Sequence, residues 1–228
     1  MASLRVGFPL ILVNLKTYRV AMGEGAVRLA AVAEEVSKRT GVCIAVSPQA
    51  VDLRKVVEAT ETPVFAQHVD PVGYGKYTGH MTPEAVADAG CSGTLISHSE
   101  RRLELKAIEA TVKRAREAGL LQVICVDDVE RGRVVTPFNP DAVAIEPPEL
   151  IGTGIPVSKA KPEVVSGAVD AVKGVDPRVK VLCGAGITSG EDVAAALKLG
   201  AEGVLVASGV VKAENPYEAL LDLAEAVA

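Results

Sequence analysis

Several features that would narrow the function are scarce or missing in this chain of 228 residues. It has no tryptophan, only three histidines, and aromatic residues make up 3% of the sequence. The lysines and arginines form no basic run and the net charge is −5, which disfavours nucleic-acid binding. The histidines do not have the H-E-x-x-H spacing of a zinc site. We therefore expect no nucleic-acid partner and no metal.

The cysteines and the apolar segments exclude further classes. The four cysteines are far apart, with no C-x-x-C pair, and three of them lie in or beside apolar runs, where buried reduced thiols are usual. The apolar stretch Gly7–Val13 is too short to span a membrane, and Asn14 and Lys16 follow it instead of a small-residue cleavage site. We expect a cytoplasmic protein with no membrane partner.

What the chain does have is a regular alternation of short apolar runs and helical patterns. Predicted strands are Leu10–Val13, Val42–Val46, Pro63–Ala66, Gly93–Ile96, Leu121–Val126, Ala142–Ile145, Val179–Leu182 and Gly203–Val206. Predicted helices are Ala26–Arg39, Val51–Ala59, Pro83–Ala89, Glu104–Glu117, one short helix within 127–139, Pro162–Val172, Ser189–Leu199 and Pro216–Val227. Because eight strands alternate with helices and no linker divides the chain, residues 1–228 are predicted to form a single α/β domain, a closed (β/α)8 barrel.

The segment around Glu146 is the most informative one. The buried run Ala142–Ile145 leads directly into Glu146, which is followed by Pro147-Pro148 and then by Gly152 and Gly154. A carboxylate at the end of a buried strand is partly desolvated and suits a general base. The prolines stiffen the strand exit, and the glycines allow close approach to a ligand or movement. An ordinary strand end with a solvated glutamate is the alternative.

Catalytic groups of such barrels project from the carboxyl ends of the strands. The strand exits carry Asn14, Lys16, His98, Glu100, Glu146, Gly186, Ala207 and Ser208. A carboxylate, an imidazole and an ammonium group on one rim suit proton abstraction next to a carbonyl. Backbone N–H groups at Gly152, Gly186 and Ala207-Ser208 could bind a phosphate. Taken singly, each has a simpler explanation: a loop lysine, a helix-capping histidine, a surface ion pair, or turn glycines.

Three of these segments together resemble a known family. Asn14-Leu15-Lys16, Ser97-His98-Ser99-Glu100-Arg101 and Glu146-Pro147-Pro148-Glu149-Leu150-Ile151-Gly152-Thr153-Gly154, with the glycine-rich turns after the last two strands, resemble triosephosphate isomerases over essentially the whole chain. The resemblance implies interconversion of D-glyceraldehyde 3-phosphate and dihydroxyacetone phosphate by proton transfer through an enediolate, without a cofactor. This is the glycolytic and gluconeogenic reaction, and the small phosphorylated triose is the expected partner.

The resemblance also implies a role for each residue. Glu146 would be the base, His98 the electrophile that polarises the carbonyl, and Lys16 the positive charge near phosphate and enediolate. Asn14 would position the substrate, and Glu100 would support Lys16. A carboxylate base, a neutral histidine and a closing loop are the known arrangement of that family. The residues expected to contact substrate or phosphate are Asn14, Lys16, Ile151, Gly152, Gly186, Ala207 and Ser208.

The departures from the family pattern point to one branch. Pro148-Glu149 replaces the usual aliphatic-aromatic pair, Cys183-Gly184-Ala185-Gly186 replaces Tyr-Gly-Gly-Ser, and Ala207-Ser208 replaces a Gly-Gly pair. These features and the short chain resemble the compact archaeal branch, which implies a homo-oligomer, a tetramer built from dimers. The segment Gly75–His80 resembles the third loop of the family, so Tyr77 and Thr78 are expected at a subunit interface. A flexible polar loop is the alternative.

Two other functions fit a phosphate-binding barrel. A Schiff-base aldolase would use Lys16 as its nucleophile, but that chemistry requires a lysine desolvated inside the barrel, and Lys16 lies beyond the buried run. A sensor or scaffold would bind a phosphorylated metabolite without converting it. Such a protein should have lost at least one of Glu146, His98 and Lys16, and all three are present.

Overall fold

The computed structural model describes residues 6–147, 156 and 160–227. Its centre is a parallel sheet of eight strands, in the order β2-β1-β8-β7-β6-β5-β4-β3. The strands are β1 Leu10–Asn14, β2 Cys43–Ser47, β3 Phe65–Ala66, β4 Gly93–Ile96, β5 Leu121–Val126, β6 Ala142–Ile145, β7 Lys180–Cys183 and β8 Gly203–Val206.

The sheet closes on itself. β1 pairs with β2 on one side and with β8 on the other, so the first and last strands are neighbours. The remaining gap, between β2 and β3, is joined by a parallel bridge between Val46 and Val64. The predicted (β/α)8 barrel is therefore confirmed.

Alternation along the strands explains why the apolar runs are unbroken. One set of strand residues fills the inside of the barrel and includes Leu10, Leu12, Ala142, Ala144 and Leu182. The residues between them face the surrounding helices and form two further apolar clusters. Because both faces of every strand are covered, neither face needs polar residues.

Helices follow the strands around the outside of the barrel. Among the described residues they are α1 Glu24–Thr40, α2 Leu53–Ala59, α3 Pro83–Asp88, α4 Leu105–Glu117, α5 Val129–Val135, α6 Pro162–Val175, α7 Gly190–Lys198, α8 Ser208–Val211 and α9 Pro216–Glu225. Short 3-10 turns cover Arg19–Ala21, Ala50–Asp52 and Thr136–Phe138. α1 ends where Gly41 adopts a left-handed conformation with φ 76°, as the glycine signal predicts.

Beyond shifts of one to three residues at element ends, β3 and an additional helix differ from the prediction. β3 is shorter than the predicted strand Pro63–Ala66, because Pro63 has no N–H to donate and Val64 makes only the isolated bridge. The one-turn helix α8 was not predicted, because Ser208 and Gly209 have weak helical preference and resemble turn residues.

The predicted ligand segment Glu149–Gly154, with Ile151 and Gly152, lies outside the described residues, as does Pro148. Within the described part, no helix has the length and apolar character needed to cross a membrane.

Candidate active site

A cleft of about 530 Å³, a volume that includes its open mouth, lies at the carboxyl ends of β1, β4, β6, β7 and β8. Its lining residues are Asn14, Lys16, Tyr18, His98, Glu146, Gly184, Gly186, Ile187, Thr188, Leu205, Val206, Ala207 and Ser208. The structure thus brings together, from distant parts of the sequence, the predicted residues of the strand exits. Glu100 lies beside the cleft and reaches it through Lys16.

The register of β6 places Glu146 in the cleft. Ala142 and Ala144 point into the barrel, and Glu146 continues the same alternation one step beyond the strand. Its backbone N–H donates to the carbonyl of Val126 at 2.8 Å, which holds the strand end in the sheet. Only 3% of the residue is exposed. A carboxylate so poorly hydrated is well suited to accept a proton from a bound ligand.

His98 faces Glu146 across the cleft. The distance from His98 Nε2 to Glu146 Oε1 is 3.4 Å, and the histidine is 6% exposed. Ser97, just before it, has φ 58°, a left-handed conformation that interrupts the alternation of β4. The hydroxyl of Ser97 accepts a hydrogen bond from the Leu103 N–H at 3.1 Å, which holds this turn in place. Uncommon backbone conformations of this kind are concentrated at functional sites.

A hydrogen bond defines the tautomer of His98. The backbone N–H of Glu100 donates to His98 Nδ1 at 3.2 Å. Because an N–H group can only donate, Nδ1 is an acceptor, and the proton of the neutral ring is on Nε2. His98 therefore presents an N–H donor to the space in front of Glu146.

Lys16 is held by contacts on several sides. Its Nζ forms an ion pair with Glu100 Oε1 at 3.0 Å, and its backbone N–H donates to Asn14 Oδ1 at 2.9 Å. Its backbone is left-handed, with φ 46°. The Gln67 amide donates to the carbonyl of Lys16 at 3.0 Å and also to that of Ser47 at 3.0 Å. These bonds fix a charged side chain that is only 13% exposed.

The Glu146 side chain is tightly enclosed by two residues on neighbouring strands. A Cβ added to Gly184, just after β7, would lie 2.5 Å from Glu146 Cγ. On the other side, near the end of β5, burial raises the pKa of the Cys125 thiol well above its usual value, and the nearby Glu146 carboxylate adds to this effect. Both neighbours restrict where the carboxylate can lie.

The far end of the cleft is formed mainly by backbone. Gly186, with φ 73°, lies in the loop after β7, while Ala207 and Ser208 form the start of α8. Loops after the seventh and eighth strands commonly bind phosphate in barrels of this type, together with the N-terminus of a short extra helix. Within the described residues, no three His, Cys, Asp or Glu side chains are grouped so as to hold a metal ion.

Comparison with known proteins agrees with this geometry. The family profile described as "Triosephosphate isomerase" matches residues 9–227. The chain belongs to the triosephosphate isomerase family. It is thus an isomerase that interconverts the two triose phosphates, and the family resemblance seen in its sequence is confirmed.

The similar family members include archaeal proteins. The triosephosphate isomerase of Methanocaldococcus jannaschii is 54% identical over 214 residues, which are 94% of this chain and 98% of that protein. That of Methanosarcina acetivorans is 55% identical over 218 residues, 96% of this chain and 98% of its own length. A crystal structure of triosephosphate isomerase from Bartonella henselae shares the fold, with a TM-score of 0.75, 21% identity, and coverage of 96% of this chain and 98% of that one.

The loop predicted to reach a second subunit does not line the cleft of its own chain. Tyr77 is 47% exposed, and Thr78 is also exposed. The base of the loop is closed by Asp70, whose backbone N–H donates to the Met81 carbonyl and whose carboxylate accepts from the Met81 N–H, both at 2.8 Å. His68 Nε2 lies 3.0 Å from Asp70 Oδ1. The loop is thus firmly attached at its base, and its tip extends from the barrel.

Some residues of this triosephosphate isomerase site were not predicted. Tyr18, Thr188 and Gly184 line the cleft, and Gln67 holds Lys16. Gly184 directly follows β7 and Gln67 directly follows β3. The rule that selects residues at strand ends could therefore have included both. Tyr18 and Thr188 lie further along their loops, where the sequence carries no signal for position.

Proposed function

We propose that Glu146 is the base that moves the proton between the two adjacent carbons of the bound triose phosphate. The observation that carries this proposal is the opposition of Glu146 Oε1 and His98 Nε2 at 3.4 Å inside a closed-in cleft. The carboxylate takes a proton from the carbon next to the carbonyl, which leaves an enediolate. It then returns the proton to the neighbouring carbon, while the substrate's hydroxyl proton passes to the oxygen of the original carbonyl, so no net proton is gained or lost.

His98 serves as the electrophile in this proposal. Its Nε2–H points to the position in front of Glu146, where the carbonyl oxygen of a substrate would lie. Hydrogen bonding to that oxygen stabilises the negative charge that develops on it. Because the backbone N–H of Glu100 fixes the ring through Nδ1, little reorganisation is needed when the charge appears.

Lys16 contributes positive charge close to the phosphate and the enediolate. Its ion pair with Glu100 keeps the ammonium group at the rim of the cleft, and Asn14 orients the backbone that carries it. Gly186, Ala207 and Ser208 would bind the phosphate through backbone N–H groups, and Ile151 and Gly152 are proposed to do the same.

The experiment is a coupled assay of triose phosphate interconversion with the wild-type chain and the Glu146→Gln and His98→Gln variants. We expect at least a roughly 100-fold loss of kcat for each variant. Inorganic phosphate should inhibit the wild-type enzyme competitively. Near-normal activity of the Glu146 variant would assign the base elsewhere.

The ion pair of Lys16 argues against the aldolase alternative. A Schiff-base lysine must present its nitrogen to the substrate carbonyl, whereas Lys16 Nζ is engaged with Glu100 Oε1 at 3.0 Å. Borohydride trapping in the presence of a triose phosphate tests this directly. We expect no covalent adduct on Lys16.

We also propose that the chain forms dimers, and tetramers from them, through the loops after β1, β2 and β3. These loops follow neighbouring strands and carry the exposed apolar residues Val20, Met22, Val51, Tyr74 and Tyr77, of which Val51 and Tyr74 are 84% and 85% exposed. Apolar groups concentrated on one rim of a protein are typical of an interface. Tyr77 and Thr78 would then lie against the neighbouring chain, close to its Asn14 and Glu100.

A cytoplasmic location completes the proposal. Three of the four cysteines are buried and none forms a disulfide in the structure, which fits a reducing compartment. Fractionation of cells that express the native chain would test it.

A further inference from the structure

We propose that Asp192 is a positioning residue that shapes the phosphate end of the cleft without touching the substrate. The inference rests on the proposed function, since it assigns the binding of phosphate to the loop after β7 and to α8. Asp192 lies in the first turn of α7, is 2% exposed, and does not line the cleft.

One oxygen of Asp192 fixes the loop that precedes its helix. Oδ2 accepts hydrogen bonds from the backbone N–H of Thr188, from the Thr188 hydroxyl and from the backbone N–H of Ser189, each at 3.1 Å. Thr188 and Gly186 belong to the same short loop, and both line the cleft. Bonds from a buried carboxylate to backbone N–H groups are stronger than neutral ones, so this loop has little freedom.

The same loop supports the start of α8. A Cβ added to Gly209 would lie 3.0 Å from the carbonyl oxygen of Ile187 and 3.3 Å from the Cα of Thr188. The two segments therefore pack backbone against backbone, without side chains between them. A shift of Thr188 would be transmitted through Gly209 to the adjacent Ser208, which is the other part of the proposed phosphate site.

The backbone N–H groups at and just before the start of α7 already donate hydrogen bonds to carboxylates of the protein. Asp192 takes the N–H groups of Thr188 and Ser189, and Asp222 of α9 takes the N–H of Gly190 at 2.7 Å. These groups are thus engaged by the fold, and Asp192 acts on the ligand through the loop that it holds. Its effect should appear in affinity for phosphate groups, while the proton-transfer residues keep their geometry.

The test is to measure kcat, KM and the inhibition constant of inorganic phosphate for wild type and Asp192→Ala. We expect KM and the phosphate inhibition constant to rise together by roughly tenfold, with kcat within about twofold of wild type, because only ligand binding is weakened. Asp192→Asn keeps one oxygen in this position but removes its charge, and neutral hydrogen bonds are roughly half as strong as those to a carboxylate. It should give an intermediate rise of about threefold.

A matched control separates positioning from stability. Asn215 caps α9 by accepting from the N–H groups of Tyr217 and Glu218, so Asn215→Ala removes a comparable cap that does not contact the loop after β7. It should lower the melting temperature and leave KM and phosphate inhibition unchanged.

Unchanged KM and phosphate inhibition in Asp192→Ala, or equal changes in Asn215→Ala, would overturn the proposal. If Asp192→Ala does not fold, Asp192→Asn decides alone, and a wild-type KM overturns it. Failure of the proposed function is distinct, because the wild-type chain would then not convert triose phosphates.

Discussion

Gly184 leaves no space for a side chain beside Glu146: a Cβ on Gly184 would come within 2.5 Å of Glu146 Cγ and within 3.3 Å of the Ile145 carbonyl oxygen. Glu146, the proposed base, is thus positioned as much by the missing side chain at the end of the neighbouring strand as by its own strand. Any residue other than glycine at this position must displace the carboxylate.

We therefore expect Gly184→Ala to lower kcat by roughly 10- to 100-fold, because a displacement of about 1 Å at a catalytic group can have an effect of this size. The control is Gly174→Ala near the end of α6, where an added Cβ meets no heavy atom within 4 Å. That variant should keep full activity and be as stable as wild type or more so, since alanine favours helix. Full activity of Gly184→Ala would show that Glu146 does not act from the observed position.

Glu146→Asp tests the position of the carboxylate by shortening its own side chain, whereas Gly184→Ala pushes on it from a neighbour. The carboxylate retracts by one methylene, away from the space in front of His98, and kcat should fall roughly 100-fold or more. KM should change little, because ground-state contacts to the phosphate end are retained. Steady-state kinetics in both directions would measure this. A variant with a raised KM and normal kcat would contradict the assignment of Glu146 as base.

The buried His68 should make stability depend on pH. Burial lowers the pKa of His68, Asp70 opposes this and Arg101 adds to it, so the folded protein binds a proton less readily than the unfolded chain. Stability from this group is complete above the unfolded pKa of about 6.5 and is lost as pH falls below it. The nearby Asp70 also has a lowered pKa: burial would raise it, but the Met81 N–H and His68 together outweigh burial. Its contribution is lost only at lower pH.

The measurement is the denaturant midpoint between about pH 7.5 and pH 5.5, where His68→Asn should flatten the decrease seen in wild type. His80→Asn, on the exposed loop, is the control and should leave the slope unchanged. Equal slopes for wild type and His68→Asn would mean that His68 has the same pKa in both states.

Thr78→Arg tests assembly. If Thr78 lies in a confined interface, an arginine there places an unpaired charge between the subunits, and association and kcat should fall together. Lys76→Arg on the same loop adds no charge and should retain both. Sedimentation and activity should be followed on the same samples across a dilution series. A Thr78→Arg protein that dissociates and stays fully active would show that each barrel works alone.

The sequence predicts the barrel well, because its strands are buried on both faces and so appear as unbroken apolar runs. The bounds of β4, β5, β6 and β8 agree residue for residue with the prediction. β2 and β7 each begin and end one residue later than predicted. The apolar pattern alone does not determine where the last hydrogen bond between neighbouring strands forms.

The candidate site was predicted in composition but not in its internal contacts. Asn14, Lys16, His98 and Glu146 could be selected because strand exits meet at one end of a barrel. Other contacts depend on packing and backbone torsions. They are the Gln67 bond to Lys16, the close approach of Gly184 to Glu146 and the three bonds to Asp192. Such contacts follow from three-dimensional placement, which the periodicity of a single sequence does not contain.

Alkylation of the buried thiols can be used to detect opening of the native protein. Alkylating reagents attack thiolates, and burial raises the pKa of Cys91 to about 12 and that of Cys125 also well above its usual value. Both residues are also nearly inaccessible, at 3% and 4% exposed, so we expect alkylation of either thiol to require local opening of the structure around it. Since Cys125 adjoins Glu146, its labelling rate under conditions where alkylation is faster than reclosing would give the frequency of opening beside the proposed base.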